Sequence, residues 1–405
     1  MGEIKSIKNL KEVMKQYFQR LDSAPLVAWC TSVGPAEILR SFGFEVYFPE
    51  NHGALLGATK KAEAYINNAV KKGYSPHVCS YTTSDIGSFI SGQTPLTEHY
   101  GIKGVPKPSI IVYNTNQCRE VQDWFNFYGE HFNCPVVGIY PPRHLDEIQK
   151  EDIEQVVFQM KKLIKYCEEV TGKKFDDDKF KEVVKLSKDA TLLWQSVLKT
   201  ATHQPAPLTF FDGVILMGPI VVLRGTNDAK QLYELILNEL VEKNKINDAA
   251  VPDERVRIFW DGMPLWGRLR MLSDLFKENK TAIVASTYCN SWIFDEFDEK
   301  APLESTALAY TKIFINRSER VKLEMLLNWA KEFKVDGIIF HDTKTCFNNS
   351  NAKFGLPQKI QEKYNIPTLV IEGDLCDMRM FSEGQSITKI ETFIEQIEEN
   401  KIAIR

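Results

Sequence analysis

Short apolar runs alternate with segments of helical spacing over most of the chain, and this alternation restricts the fold more than any other feature of the sequence. Strands that alternate with helices are typical of a parallel sheet, because each helix returns the chain to the same edge. The predicted strands are Leu26–Trp29, Glu45–Phe48, Ser109–Tyr113 and Pro135–Ile139, followed later by Arg257–Trp260, Thr281–Ala285, Gly337–Phe340 and Thr368–Glu372.

A long helical stretch separates the two alternating regions. Residues 145–200 have helical spacing with few breakers, and Asp228–Lys243 is helical again. We therefore predict an α/β fold with two Rossmann-like parallel-sheet domains, at residues 1–144 and 253–405, and a helical subdomain at residues 145–252. The helices predicted inside the α/β domains are Pro35–Phe42, Ala58–Lys72, Trp266–Phe276, Arg317–Phe333, Lys353–Tyr364 and Ile387–Glu399.

Charge and hydropathy argue against two classes of partner. The formal net charge is -4, so the chain lacks the basic excess typical of nucleic-acid-binding proteins. The longest apolar run, Phe210–Leu223, is interrupted by Asp212 and Pro219 and is too short to span a bilayer. The charged, amphipathic start of the chain does not resemble a signal peptide. We expect a soluble, cytoplasmic protein with no membrane or nucleic-acid partner.

Three of the eight cysteines occupy positions that suit a metal site. Cys118 and Cys346 each follow a predicted strand through a short loop, and Cys79 begins a predicted helix, where the helix N-terminus favours thiolate. In a cytosolic protein such residues are thiols or metal ligands and not disulfides. The alternative is three reduced thiols without metal, since unpaired cysteines often serve only in packing. Cys289, just past a strand, is a spare candidate ligand, and Cys167 is predicted to lie in the core.

A serine and a glutamate follow the first two predicted strands. If these strands are parallel neighbours, Ser32 and Glu50 lie side by side at one sheet edge, where a hydroxyl and a carboxylate can bind and deprotonate a substrate. The alternative is that Ser32 caps a helix and Glu50 is a solvated loop residue. A third strand–turn–helix junction, FWDGMPLWGRL, offers Trp266 as the wall of a cleft.

Several well-known motifs are absent from the sequence. It contains no GxxxxGK[ST], so ATP hydrolysis through a P-loop is not expected. No GxGxxG follows the first strand, and no HExxH or pair of metal-binding histidines occurs. The chemistry must therefore come from another kind of site.

Taken together, these segments resemble the subunits of 2-hydroxyacyl-CoA dehydratases and benzoyl-CoA reductases over nearly the whole chain. The resemblance implies two α/β domains and a helical region around a [4Fe–4S] cluster in the cleft, with Cys79, Cys118 and Cys346 as its ligands. It also implies active-site roles for Ser32 and Glu50, whereas Cys289 matches no assignable ligand position. The segments that carry it are SVGPAEILRSFGFEVYFPENHGA, the surroundings of Cys79 and Cys118, WDGMPLWGRL, DGIIFHDTKTC and PTLVIEGDLCDMR.

The resemblance further implies a reaction. A dehydratase of this family eliminates water from an (R)-2-hydroxyacyl-CoA to give the 2-enoyl-CoA through a ketyl radical, which acidifies the otherwise inert β-hydrogen. The expected partners are the acyl-CoA substrate, a related second subunit that completes a heterodimer, and an ATP-dependent iron–sulfur activator protein that delivers the electron.

Three alternatives stay open at this point. The first alternative to a dehydratase subunit is a benzoyl-CoA reductase-type subunit, and the second is a non-catalytic electron-relay subunit. The third is a homodimer that carries a larger double-cubane cluster. The presence of Ser32 and Glu50 favours a dehydratase subunit that binds substrate. The sequence does not identify the acyl group or the CoA-binding residues.

Overall fold

The computed structural model describes residues 4–403 and contains two four-stranded, fully parallel sheets. All eight predicted strands are confirmed within one to three residues at each end. The first sheet consists of β1 Val27–Cys30, β2 Glu45–Tyr47, β3 Ile110–Asn114 and β4 Val136–Ile139, and the second of β5 Val256–Asp261, β6 Thr281–Ser286, β7 Gly337–Thr343 and β8 Thr368–Gly373.

Helices connect the strands in both halves and form most of the chain between them. The α-helices are α1 Ile7–Ser23, α2 Ala36–Ser41, α3 Pro49–Ala58, α4 Ala62–Lys71, α5 Ser80–Ser91, α6 Pro95–Tyr100, α7 Glu120–Phe132, α8 Lys150–Thr171, α9 Asp177–Lys199, α10 Phe210–Leu216, α11 Gly218–Val222, α12 Asn227–Lys245, α13 Leu269–Glu278, α14 Thr287–Asn290, α15 Pro302–Thr311, α16 Glu319–Glu332, α17 Leu356–Tyr364 and α18 Glu383–Ala403. Short 3-10 helices are Thr200–Thr202, Trp266–Arg268, Phe314–Asn316, Phe347–Asn349, Asn351–Phe354 and Met378–Met380.

The two sheets share one strand order. In space the order is β2-β1-β3-β4 in the first sheet and β6-β5-β7-β8 in the second, so each half follows the same doubly wound scheme. In such sheets a crevice opens between the first and third strands, where the chain changes direction, and ligands bind there outside the carboxyl ends. The predicted fold class and the likeness of the two units are confirmed. The loops after β1, β3, β5 and β7 are therefore the places to look for a site.

The predicted boundaries at 144/145 and 252/253 fall between β4 and α8 and between α12 and β5. Between them the chain is mainly helical. The long helix α9 packs against α12, but it also packs against α2 and α15, and α8 packs against β4 and α15. The division into three domains stays a prediction. Among residues 4–403, no helix has both the length and the apolar character needed to cross a membrane.

Helix α3 differs from the prediction of one helix over Ala58–Lys72. The chain is already helical from Pro49, breaks at Lys60 with φ 59°, and resumes as α4. Helix α3 is buried on most sides, so it lacks the one-sided apolar periodicity by which helices are predicted. Its glycines permit this packing: a Cβ on Gly57 would lie 2.7 Å from the Cys376 sulfur and 2.9 Å from Trp266.

The predicted helix Lys353–Tyr364 is also divided. A 3-10 turn ends at Phe354, and α17 begins at Leu356. Gly355 between them has φ 78°, a left-handed conformation that glycine adopts without steric cost.

A buried ion pair links the first half to the helical segment. Arg224 follows α11, and its Nε lies 3.3 Å from the Glu37 carboxylate of α2, with both side chains at most 1% exposed. Glu37 also accepts hydrogen bonds from the hydroxyls of Ser187 and Tyr310, each at 2.7 Å. Arg224 donates to the carbonyl of Gly34 at 3.0 Å. These bonds fix the turn that follows β1.

Removing the cation of this pair should strongly destabilise the fold. We expect Arg224→Met to lower the free energy of unfolding by about 3–5 kcal/mol, because the Glu37 carboxylate stays buried without its partner. Urea denaturation measures this change. The matched control is Arg270→Met in the exposed Arg270–Asp274 pair, with side chains 96% and 63% exposed, where about 0–1 kcal/mol is expected. Equal effects of both substitutions would contradict the assigned role of the buried pair.

Candidate functional site

The carboxyl-end loops of both sheets line one cavity of about 170 Å³. Ser32 follows β1, and Gln117 and Cys118 follow β3. Met263 and Cys346 follow the corresponding strands, β5 and β7, of the second sheet. Both crevices that the strand order creates therefore contribute to the same cavity. All five candidate site residues of the sequence analysis line it: Ser32, Glu50, Cys79, Cys118 and Cys346.

Ser32 and Glu50 lie side by side, as predicted from the parallel pairing of β1 and β2. The backbone N–H of Ser32 donates to both carboxylate oxygens of Glu50, each at 3.1 Å, and the Gln117 side-chain amide donates to Oε1 at 2.6 Å. The alternative interpretation is wrong for both residues. Glu50 is only 8% exposed in the first turn of α3, and the N-cap of α2 is Pro35.

Burial makes Glu50 a weak acid in spite of its donors. Removal from water raises the pKa of this carboxyl to about 7, although the Ser32 N–H and the Gln117 amide oppose the shift. A carboxyl group with a pKa near neutrality exchanges protons readily at physiological pH. Glu50 therefore has the properties of a general acid or base that faces the cavity.

The three cysteines come from three different turns. Cys79 is the N-cap residue of α5, Cys118 lies just before α7, and Cys346 precedes the 3-10 turn Phe347–Asn349. Burial is the main reason that the pKa of each thiol is raised, to about 11 for Cys79. Cys79 and Cys346 contribute to the raised pKa of Cys118, so the three sulfur atoms lie within electrostatic reach of one another.

Each of the three cysteines has a backbone N–H group, three residues later in the chain, that favours the thiolate form of its side chain. The donors are Thr82 for Cys79, Val121 for Cys118 and Asn349 for Cys346. Each cysteine thus precedes a helical turn whose free N–H groups support a negative sulfur. The sequence indicated this arrangement only for Cys79, because the turn after Cys346 has no helical periodicity.

A buried aspartate braces two of the three cysteine turns. Asp374, which follows β8, accepts the hydroxyl of Ser80 at 2.5 Å and both the backbone N–H and the hydroxyl of Thr345, at 3.0 and 2.6 Å. Ser80 is adjacent to Cys79, and Thr345 is adjacent to Cys346. One carboxylate therefore fixes the spacing between turns from the two halves of the chain.

An arginine, Arg143, links the turn that carries Cys118 to the second half of the chain. Arg143 donates to the carbonyls of Thr115 and Gln117 at 2.9 and 3.3 Å, and to Oδ1 of Asn348 at 2.9 Å. Burial lowers the pKa of its guanidinium, and the nearby Cys118 thiol opposes that effect. Arg143 thus connects the loop before Cys118 to the turn after Cys346.

Sequence reasoning missed Gln117, Asp374 and Arg143. Asp374 had the clearest signal, a carboxylate directly after a strand, and Gln117 follows a strand in the same way. Arg143 lies in a loop after β4, and its contacts depend on tertiary structure alone. The prediction of Trp266 as a cavity wall is confirmed.

The remaining thiols lie outside the cavity lining. Cys289 is 2% exposed in α14 and Cys167 is fully buried in α8, so the core placement predicted for Cys167 is confirmed. The Cys376 thiol donates to the carbonyl of Gly53 at 3.3 Å. Within residues 4–403, no group of three or more His, Cys, Asp and Glu side chains is compact enough to hold a single metal ion.

The raised pKa of Glu50 has a consequence for stability. This carboxyl ionises near pH 4.5 in the unfolded chain but near pH 7 in the folded chain, so the folded state loses stability as pH rises between these two values. We expect Glu50→Gln to gain stability relative to the wild type as pH rises from 5 to 8, by about 1–3 kcal/mol. Urea denaturation at both pH values measures this, with Glu130→Gln, an exposed position on α7, as the control. If the difference in unfolding free energy between Glu50→Gln and the wild type is the same at both pH values, the raised pKa assigned to Glu50 is contradicted.

Comparison with known proteins finds relatives that match over most of the chain. The family model described as 2-hydroxyglutaryl-CoA dehydratase, D-component, matches residues 31–397. The alpha subunit of lactoyl-CoA dehydratase from Anaerotignum propionicum is 29% identical over 390 residues, which are 93% of this chain and 92% of that protein. The alpha subunit of (R)-phenyllactyl-CoA dehydratase from Clostridium sporogenes is 28% identical over 369 residues, 90% of this chain and 88% of that protein.

Two further relatives bear on the alternatives. A subunit of benzoyl-CoA reductase from Thauera aromatica is 27% identical over 381 residues, 90% of this chain and 87% of that protein. The beta subunit of the C. sporogenes enzyme is 24% identical over 299 residues, 70% of this chain and 74% of that protein. The family match begins directly after β1 and covers the other seven strands and Ser32, Glu50, Cys79, Cys118 and Cys346. The chain therefore belongs to the family of 2-hydroxyacyl-CoA dehydratase subunits, which includes benzoyl-CoA reductase subunits.

Proposed function

We propose that this chain is the substrate-binding subunit of a dehydratase that eliminates water from an (R)-2-hydroxyacyl-CoA to give the 2-enoyl-CoA. The observation that carries the proposal is one cavity whose lining contains both Glu50, a carboxyl group with a pKa of about 7, and the thiols of Cys79, Cys118 and Cys346. An electron-relay subunit has no need for a proton-exchanging group beside its thiols. The alpha subunits named above support the same assignment.

The donor set suits a [4Fe–4S] cluster, because cysteine thiolates are the usual ligands of such clusters. The three cysteines line one cavity from three turns. Hydrogen bonds from backbone N–H groups to the sulfurs are a common means of stabilising such a cluster. Cys79, Cys118 and Cys346 would hold it, and the substrate would bind to it at a site that these three residues leave free.

When bound, such a cluster would supply a Lewis acid and a transient electron to the thioester carbonyl; the neighbouring hydroxyl would leave as hydroxide, the acidified β-proton would pass to a base, and the electron would be given back, so that the net change is the loss of water. The chain's own residues supply the rest. Glu50 takes or relays the proton at its carboxylate, and the Ser32 hydroxyl orients the substrate. The Gln117 amide holds Glu50 toward the Ser32 backbone, and the apolar walls of the cavity exclude water.

The reaction also requires partners. We propose that the chain forms a heterodimer with a related second subunit. Two relatives are named as alpha subunits, and a third relative is the beta subunit of one of those enzymes, the C. sporogenes (R)-phenyllactyl-CoA dehydratase. An ATP-dependent iron–sulfur activator would deliver the electron, since the sequence has no P-loop of its own. The substrate and both partners act in the cytoplasm in this proposal.

A second candidate is an aryl-CoA reductase subunit, which the likeness to the T. aromatica benzoyl-CoA reductase favours. The two functions predict different products. Incubation with 2-hydroxyacyl-CoA thioesters and with benzoyl-CoA, each with a low-potential reductant, separates them. Enoyl-CoA formation supports the dehydratase, and ring reduction without dehydration supports the reductase.

The three cysteines should each be required for iron. We expect the anaerobically purified protein to contain about four irons per chain. Cys79→Ser, Cys118→Ser and Cys346→Ser should each lose most of the iron, because hydroxyl groups are poor ligands for an iron–sulfur cluster. Cys134→Ser is the control, since Cys134 lies outside the cavity lining. Iron and sulfide assays give the answer, and a wild type without iron would refute the cluster.

Glu50 should be required for turnover but not for iron. We expect Glu50→Gln to lower kcat by about 10²–10⁴-fold, the usual contribution of a positioned acid or base, while iron content stays at the wild-type level. Glu130→Gln should retain wild-type turnover. Full activity of Glu50→Gln with intact iron would remove Glu50 from the mechanism.

A further inference from the structure

We infer that the cavity selects thioesters with an uncharged, apolar acyl chain, alkyl or aryl, and rejects those that carry a second carboxylate. This inference rests on the proposed function and narrows its substrate class. Relatives in the family are named for lactoyl, phenyllactyl, isocaproyl and glutaryl substrates, so family membership leaves the choice open. The lining of the cavity decides it.

Two short helices of the central segment contribute an aliphatic wall. Val214 in α10, Met217 between the helices and Val221 in α11 line the cavity and are each at most 7% exposed. Ile313 and Ile315, which lie around the short 3-10 helix that follows α15, add to the same lining. Contact with these groups stabilises an apolar chain by about 25 cal/mol per Å² of buried surface. A carboxylate there would lose its hydration without gaining a partner.

No cation lines the cavity to balance such a charge. Of the described residues that form its surface, none is lysine, arginine or histidine, and two, Glu50 and Glu120, are acidic. An unpaired charge moved from water into such a site costs several kcal/mol. The acidic pair adds repulsion to that cost.

Two cations close to lining residues are already engaged elsewhere. The Arg143 guanidinium donates to the carbonyls of Thr115 and Gln117 and to Asn348, so its donors are directed at loop oxygens. The Lys322 ammonium donates to Asn351 at 3.2 Å and interacts with the Asp261 carboxylate. Neither side chain forms part of the cavity surface.

Several neutral donors at the cavity surface are also occupied. The Gln117 amide donates to Glu50, and the Asn349 amide donates to the Met263 sulfur at 3.1 Å. The Ser291 hydroxyl donates to the carbonyl of Thr287 at 2.6 Å. These three groups could donate to a substrate carboxylate only after breaking an existing hydrogen bond, which adds to the cost of admitting it.

The size of an apolar acyl chain should affect selectivity less than a charge on that chain. One methylene more or less in an apolar pocket changes specificity by about 10–200-fold, whereas a buried unpaired charge costs more. The cavity should accept both branched alkyl and aryl chains, and the large difference should appear between these and a dicarboxylic acyl chain.

Binding of non-reactive analogues by the anaerobically purified holoenzyme tests the inference without turnover. Isothermal titration calorimetry compares 4-methylpentanoyl-CoA, 3-phenylpropanoyl-CoA and glutaryl-CoA, which lack the 2-hydroxyl group. We expect the first two to bind at least about 100-fold more tightly than glutaryl-CoA. The corresponding (R)-2-hydroxyacyl-CoA substrates should show the same order in kcat/KM.

Two arginine substitutions in neighbouring positions of the chain, one inside the cavity lining and one outside it, test the role of charge with a matched control. Met217→Arg introduces a cation at the aliphatic wall and should reduce the preference against glutaryl-CoA by at least about tenfold. Ile215→Arg places the same charge on a residue of α10 that is 49% exposed and outside the lining, and it should leave the preference unchanged. The wild-type comparison decides the inference even where Met217→Arg does not fold.

The outcomes separate the inference from the function on which it rests. Equal binding of glutaryl-CoA and 4-methylpentanoyl-CoA by the wild type would overturn the inferred selectivity and leave the dehydratase function standing. Failure to bind any acyl-CoA would overturn both. Tight binding of the two apolar thioesters with weak binding of glutaryl-CoA supports the selectivity.

Discussion

The strand order shared by both sheets is the constraint on which the site depends. Because the third strand pairs with the first on the side opposite the second, each sheet opens a crevice between its first and third strands. Ser32 and Cys118 follow the two strands that flank this crevice in one half, and Met263 and Cys346 follow the equivalent strands in the other. A cavity lined by both crevices can collect cysteines from both halves of the chain without any local motif.

Three buried carboxylates have different roles in this arrangement. Glu37 is paired with the Arg224 guanidinium and fixes the turn before α2. Asp374 is paired with hydroxyl and N–H donors and braces the turns that carry Cys79 and Cys346. Glu50 has donors too few to offset its burial, and the pKa of its carboxyl rises to about 7. The two well-compensated carboxylates position the site, and the poorly compensated one is suited to proton transfer.

Much of the fold was predictable because strands and their order of appearance depend on local pattern. The expected parallel pairing of β1 and β2 was enough to place Ser32 beside Glu50 from the sequence alone. Helix α3 was missed, because a helix that is buried on most sides and carries Gly53 and Gly57 has no periodicity to detect. Arg143 was missed because its partners come from both halves of the chain and leave no local signal. Asp374 was missed for a similar reason, although its place after a strand was a partial signal.

The central claim is that an acyl thioester meets an iron–sulfur cluster in the cavity beside Glu50. The most direct measurement is the electron paramagnetic resonance spectrum of the reduced, anaerobically purified protein with and without a saturating 2-hydroxyacyl-CoA. The account predicts that the thioester shifts the g values of the cluster signal, because a substrate bound directly to the proposed cluster would change its electronic structure. A cluster signal that stays the same at saturating thioester would contradict the account and identify the chain as an electron-relay subunit.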